Sequence, residues 1–300
     1  MTAGPIELQL GNRTPLWQAA RQLLLRRGGE YVACCAATRE AFSLEEIHDF
    51  RVSSRRLREA LVLCAPCYDP EALRKCGREV RKVTRLLGFL RNLDEAFLFF
   101  SALVQELDMS RRMALMPYLM SHEASRSSQL GYLGRLLGEY RPERFLDRYR
   151  RLLSCPSLLN STGGIDLFMP LREFAETAMK EGHEGLLPLV SPARSEEDDV
   201  ARHRLRIALK HYRYRFELFE PLADKRYAAA YRLIKQYQQH LGALNDLTVF
   251  SGMLADGLVS PQSVPGILMA VEQKKRKLVR VFLKLLDKKP LDTITFPFGD

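Results

Sequence analysis

Residues 48–61 read HDFRVSSRRLREAL, and residues 203–216 read HRLRIALKHYRYRF. Both open on a histidine and return to a basic residue every three or four positions. At about 100° per residue, that interval describes one face of an α-helix. His48, Arg51, Arg55 and Arg58 fall within roughly an 80° arc, with Phe50, Leu57 and Leu61 on the other side. The later stretch does the same with His203, Arg206, Lys210 and Arg213 against Leu205, Tyr212 and Phe216. Each stretch is thus a helix with one face to bury and one concentrated basic face.

The two stretches lie 155 residues apart, and a second match sits at nearly the same spacing. LGFLRNLDEAFLFF at 87 is echoed by LGALNDLTVF at 241, with Leu87-Gly88 and Leu241-Gly242 read as turns. Two matches at nearly the same offset indicate a duplicated half. The first half runs from about 15 to 153 and the second from about 170 to 288, followed by a C-terminal tail, 289–300. SCPSLLNSTGGIDLFMP at 154–170, with its Gly-Gly pair and two prolines, is the natural joint. A period this long suggests two helical bundles packed face to face about a pseudo-twofold axis.

Apolar residues recur at helical spacing almost throughout, so the fold class is all-α. Ser43 with Glu46 forms a capping box, and Asp69-Pro70 is a good start for a long helix to about 107. Further helices are expected at 15–41, 111–139, 142–153, 170–181, 196–220, 224–256 and 265–288. A chain of 300 residues that is 46% hydrophobic can bury a substantial core as one domain. No stretch has the eighteen or so consecutive apolar residues of a membrane span, and the N-terminus lacks a signal-peptide pattern. The default compartment is the cytoplasm. Cys64 and Cys67 close an apolar helix where a redox pair would open one, and no second ligand pair makes a zinc site. Buried or idle thiols in a reducing compartment are expected.

The net charge is +10, and 25 of the 46 Lys and Arg fall in the windows 48–58, 74–91, 200–215 and 271–289 with only four acids among them. Charge so concentrated implies a polyanionic partner. In the helix after each motif, Arg74, Arg78, Arg81 and Arg85 share a stripe beside Lys82, with Arg232, Lys235 and Gln239 aligned to Arg78, Arg81 and Arg85. Like charges at this spacing destabilise a helix unless something neutralises them. Guanidinium forks grip phosphate oxygens bidentately, and histidine donates from its ring and gains a proton beside phosphate. The residue types therefore describe a site for a phosphate chain. Arg56 lies off the stripe, with His211 as its counterpart. Glu217, Asp94 and Asp246 are candidates for holding arginines in orientation, and Tyr214 either donates to phosphate or packs.

These residues resemble a known family, the conserved histidine α-helical domain, or CHAD. The resemblance rests on His48-x-x-Arg51-Val52-x-x-Arg55-Arg56-Leu57-Arg58, on His203-x-x-Arg206-Ile207-x-x-Lys210-x-x-Arg213-Tyr214 and on the two Leu-Gly pairs, and it covers roughly residues 15 to 288. It implies two four-helix halves around a basic central cavity that binds inorganic polyphosphate without hydrolysing it, with no cofactor, no metal and no catalytic residue. Carried onto this chain, the binding residues are the two histidine-led stripes, Arg56, Tyr214, the basic stripe of each following helix and Arg91. Where the first half has Arg91, Lys82 and Arg85, the second has Asn245, Gln236 and Gln239, so the second half should contribute less charge. The cluster 274–277 is a possible compensation. Targeting to polyphosphate granules, with granule proteins as partners, is compatible with this reading.

Two other readings compete. A nucleic-acid binder would use the same phosphate-gripping arginines, although no helix-turn-helix, zinc finger or RNA-recognition signature is present. A metal-dependent His-Asp phosphohydrolase would draw on His48-Asp49 with His122 or His183, but Asp49 is matched by Arg204 in the second copy.

Overall fold

Four helices start where a short polar side chain satisfies a free backbone N–H. In the computed structural model, which describes residues 10–156, 165–254 and 264–299, Asp69 accepts from the Ala72 amide at 2.6 Å, Asp108 from Arg111 at 3.0 Å and Asp198 from Ala201 at 2.8 Å. Ser43 caps through the Glu45 amide at 3.2 Å, one residue short of the capping box that the sequence suggested. Such caps are worth about 1 kcal/mol each. The helices are α1 (Leu16–Ala41), α2 (Leu44–Leu63), α3 (Pro70–Val104), α4 (Met109–Glu139), α5 (Pro142–Leu153), α6 (Leu171–Glu184), α7 (Leu187–Ala193), α8 (Asp199–Leu218), α9 (Tyr227–Leu254) and α10 (Val264–Lys288). Short α7 escaped the sequence reading because Pro188 and Pro192 mask its periodicity.

The apolar faces settle how these helices pack. Helix α2 lies against α1 and α3, and α8 against α6, α7 and α9; across the two parts of the chain α2 meets α8, α3 meets α9 and α1 touches α6. The main core draws on both parts, with Phe50 and Leu57 of α2 and Leu205, Leu209 and Phe216 of α8 all buried. A smaller core gathers Phe100 of α3, Tyr118 of α4, Phe250 of α9 and Ile267 of α10. The two helices that carry the histidine motifs are therefore side by side.

Two expectations change, and a third falls partly outside the described residues. Leu87-Gly88 and Leu241-Gly242 are not turns: both lie inside the long helices α3 and α9. A single helical glycine costs about 1 kcal/mol relative to alanine, which burial of Leu87 and Leu241 in the core readily offsets. The segment after 289 is not a free tail. Leu291, Ile294 and Phe296 are buried, the Tyr212 hydroxyl donates to the Ile294 carbonyl at 3.0 Å, and the Gly299 amide donates to Leu222 at 2.8 Å. Finally, half of the expected joint, 157–164, lies outside the described residues, while its last residues bind the start of α1. There the Leu16 amide donates to Met169 at 2.9 Å and Trp17 to Leu167 at 3.0 Å.

Because the C-terminal segment is core, a chain ending at Lys289 should lose at least as much stability as Phe296→Ala. That substitution should itself cost about 3–5 kcal/mol in urea unfolding; a dispensable tail would leave the midpoint unchanged.

Candidate anion-binding site

Helix α2 and helix α8 turn their basic stripes to a shared cleft of about 320 Å³, lined by Arg55 and Arg58 from one and by His203, Arg206, Lys210 and Tyr214 from the other. Arg51 sits beside Arg55 and Arg206, and Lys210 feels Arg206, Arg55 and Arg51 together. Burial first, and then these three cations, push the Lys210 ammonium down to about 6. Burial and Arg55 push Arg51 down to about 10. Arg206 is lowered too, chiefly by burial, although Asp246 at 4.0 Å offsets part of the repulsion. Among the described residues no acidic group pairs with Arg51, Arg55, Arg58 or Lys210 within 4.0 Å. The Nε atoms of Arg51 and Arg206 are buried without a hydrogen-bond partner among those residues. A buried donor left unpaired costs about 1–3 kcal/mol, so the cleft holds donors and charge that an anion would satisfy.

Two acids hold the walls of this cleft together, Glu217 from outside its lining and Glu59 from within it. The buried Glu217 carboxylate accepts from Arg56 Nε at 2.5 Å, Arg213 Nη1 at 2.9 Å and the Tyr231 hydroxyl at 2.5 Å, while Arg27 donates to its backbone carbonyl at 2.8 Å. Burial alone would raise this carboxyl; the bond from Arg56 and the charges of Arg213 and Arg56 hold it below its ordinary value. On the other edge, buried Glu59 accepts from His211 Nδ1 and from Arg215 Nε, the latter at 3.2 Å. Arg56 and His211 occupy corresponding positions of the two motifs, and each reaches across to an acid of the other helix. Arg56 and Arg213 are thus neutralised supports, and Arg56 faces a different cleft.

That second cleft, about 480 Å³, is lined by Arg26, Arg27, Arg56 and Arg232 with Glu30, Glu217 and two tyrosines. Its arginines are largely paired, Arg26 and Arg27 with Glu30 and Arg56 with Glu217. It is larger but carries less unpaired charge, so the α2–α8 cleft is the better anion site.

From α3, Arg81 and Arg85 come close enough to Arg58 to help lower it. The histidines sit at the far end. His48 is depressed by burial and then by Arg91, which is itself paired with Glu95 at 2.6 Å. His203 Nδ1 meets Asn245 Oδ1 at 2.6 Å. Arg91 thus opposes the charge of its histidine, whereas Asn245 hydrogen-bonds the other. Arg74, Arg78, Lys82, Arg232 and Lys235 are not among the residues that line the α2–α8 cleft. Arg74 folds back on the Pro70 carbonyl at 3.1 Å, Arg78 and Lys82 are exposed along α3, Arg232 belongs to the second cleft, and Lys235 lies over the Tyr231 ring at 5.8 Å. Tyr214 is buried under Arg213, whose guanidinium lies 4.9 Å from its ring. Lys274 pairs with Glu106 and Lys275 with Asp199, so these two lysines are tied to the α3–α4 connection and to the start of α8 and do not line the cleft.

Sequence reading missed Glu59 and Glu95. Glu59 carried a signal, as an acid next to the apolar residues of α2 that could be buried only with a cationic partner. The hydrolase constellation is not assembled: His122 bonds Tyr118 at 3.1 Å in the smaller core, while His183 lies near the Leu291 carbonyl. Among the described residues no group of three or more His, Cys, Asp or Glu could hold a metal ion. Cys64 and Cys67 are buried in the main core, and burial holds the Cys64 thiol well above its ordinary value.

Glu217→Gln removes the charge that two arginines share and should destabilise the protein by about 3–5 kcal/mol, as for other buried pairs broken on one side. Because this carboxyl is depressed in the fold, its contribution should be present above pH ~4.5 and fade as the wild type is acidified through the folded value, but be missing at every pH in the variant.

Comparison with known proteins bears on this cleft. A CHAD domain family model matches residues 19–255. The crystal structure of the CHAD domain from the plant Ricinus communis superimposes with a TM-score of 0.65 at 25% identity, covering 96% of this chain and 92% of that one. PptA from Streptomyces chartreusis shares the fold with a TM-score of 0.65 at 18% identity, covering 92% of this chain and 99% of that one. No curated protein matches the chain. Among the described residues no helix is long and apolar enough to cross a membrane. With the family model spanning both histidine-led helices and the helix after each, the chain belongs to the CHAD domain family, which is linked in general to polyphosphate binding.

Proposed function

We propose that this protein binds inorganic polyphosphate in the α2–α8 cleft and does not hydrolyse it. The observation that carries this reading is the meeting of Arg51, Arg55, Arg206 and Lys210 from two helices, with three of the four lacking an acidic partner among the described residues. A chain of phosphates spaced a few ångströms apart is a ligand that can neutralise the three arginines at once and favour the charged form of Lys210. Arg58 with Arg81 and Arg85 extends the basic surface along the α2–α3 side, so a polymer can continue out of the cleft. The two halves are read as copies of one unit about a pseudo-twofold axis running between α2 and α8, which puts the histidines in matching places beside Arg91 and Asn245.

The companion reading is nucleic-acid binding, since the arginines grip phosphate whatever carries it. A narrow cleft of partly buried cations favours a thin, flexible chain with one charge per phosphate over a duplex, and the two readings separate in one competition. Polyphosphate should displace both DNA and RNA at physiological salt, and binding should weaken steeply as salt rises. Arg51→Ala with Arg206→Ala should reduce polyphosphate affinity by about 100-fold or more with helicity unchanged, at about 1.5–3 kcal/mol for each charged contact. The exposed Lys288→Ala should leave affinity nearly untouched. DNA winning the competition, or Lys288→Ala costing as much as the pair, would sink the proposal.

Lys210 adds a pH signature. Its amine is largely neutral at pH 7.5 in the empty cleft, and phosphate beside it raises its proton affinity. Binding between pH ~6 and the raised value should therefore take up about one proton, and affinity should fall as pH climbs through that window. Calorimetry in buffers of different ionisation enthalpy measures the uptake, which Lys210→Met should abolish. The same substitution removes a buried, repelled amine and should raise the thermal midpoint of the free protein.

A further inference from the structure

Among the described residues, helix α4 carries a face that is largely uncovered. Met109, Met113, Met116 and Met120 are 69%, 64%, 41% and 69% exposed, while Leu115, Tyr118, Leu119, Leu133 and Leu137 bury the opposite side. At 100° per residue these four methionines form a single stripe within about 60°. Large apolar side chains aligned in this way on a surface mark a contact site, and methionine is the residue most used where such sites must adapt their packing.

The same stripe continues down the helix with a different composition. Its next positions are Ala124, Ser127, Gly131, Gly134 and Gly138. Gly131 and Gly138 look into open space, with nothing within 4 Å of where a Cβ would stand, and Gly134 has Phe42 at 3.7 Å. One half of the face therefore carries large side chains and the other half only small ones, open at Gly131 and Gly138 and edged by Phe42 at Gly134. When two such helices are laid antiparallel, the residue numbers of facing positions sum to a constant. Taking that constant as 247 places Met109 on Gly138, Met113 on Gly134, Met116 on Gly131 and Met120 on Ser127. All four large residues meet a small one in a single register, and a twofold axis near 123–124 relates the two copies.

We propose that α4 is a homodimer interface in which two copies of this chain pack antiparallel, each methionine half filling the glycine half of its partner. The occupant is a second copy because the face is complementary to itself, as an isologous twofold contact requires. Small residues let two helix backbones approach, and the facing methionines fill the space left. A helix of 31 residues is about 46 Å long, so this contact can run the length of the element. A dimer would carry two α2–α8 clefts, which gives a long polyanion two places to engage at once; that consequence rests on the proposed function, but the dimer itself does not.

The test is solution mass by sedimentation or light scattering of the full chain without polyphosphate, so failure of the binding reading leaves it unaffected. The wild type should run at twice 34.4 kDa at ~10 µM. Gly131→Met sets methionine against Met116 of the other copy, and Met116→Gly leaves a gap; each should weaken the dimer about tenfold or more at unchanged helicity. Combined in one chain, the two substitutions exchange knob and hollow and should restore the dimer. Wild type that is monomeric at ~100 µM overturns the proposal. So does a dimer indifferent to both single variants, or a pair of substitutions whose effects simply add.

Discussion

Two buried carboxylates allow α2 and α8 to lie together at all. Unit charges 4 Å apart repel by about 4 kcal/mol at an effective dielectric of ~20, and the two helices bring several cations within reach of one another. Apolar contact through Phe50, Leu57, Leu205 and Leu209 supplies attraction without direction. Glu217 and Glu59 supply the direction. Each accepts from a basic group of the opposite helix, Arg56 in one case and His211 in the other, and each also ties a further arginine, Arg213 or Arg215. Glu217 lies outside the lining of the cleft, and Glu59, which lines it, is matched by His211 and Arg215, so Arg51, Arg55 and Lys210 are left without an acidic partner among the described residues.

This arrangement separates two kinds of arginine that look alike in sequence. Arg56 and Arg213 have their charge matched and act as braces, whereas Arg51, Arg55 and Lys210 have theirs opposed by neighbours of the same sign. The braces add stability and the unmatched group removes some. A protein selected only to be stable would place an acid or an apolar side chain at Lys210. That the cleft keeps an amine whose burial and neighbours both oppose its charge is what makes an anionic ligand the economical explanation of the site. The same contrast explains why the larger cleft behind Glu217, although it contains four arginines, is the weaker candidate.

Legibility follows the range of each interaction. The stripe of His48, Arg51, Arg55 and Arg58 depends only on helical pitch, and its copy at 203 depends only on comparing the chain with itself. Both can be read directly, and through them the family can be recognised. Helix starts at Asp69 and beside Pro142 are equally local. Arg56 looks like one more phosphate ligand because nothing nearby in sequence reveals Glu217, 161 positions away. The Leu-Gly pairs look like turns because glycine is the commonest turn residue, and only the neighbours that bury Leu87 and Leu241 keep those helices continuous. The segment after 289 looks like a tail because its few apolar residues have no helical period; they dock one by one against Tyr212 and Leu222.

The sequence by itself determined that the chain is helical, that a histidine-led basic face occurs twice, and that its charge is concentrated as a polyanion would require, because periodicity and charge are properties of neighbouring residues. Only the tertiary structure decided which cations are free. Whether an arginine is a brace or is left for a ligand depends on an acid reaching it from another helix, and such encounters depend on how α2 and α8 pack.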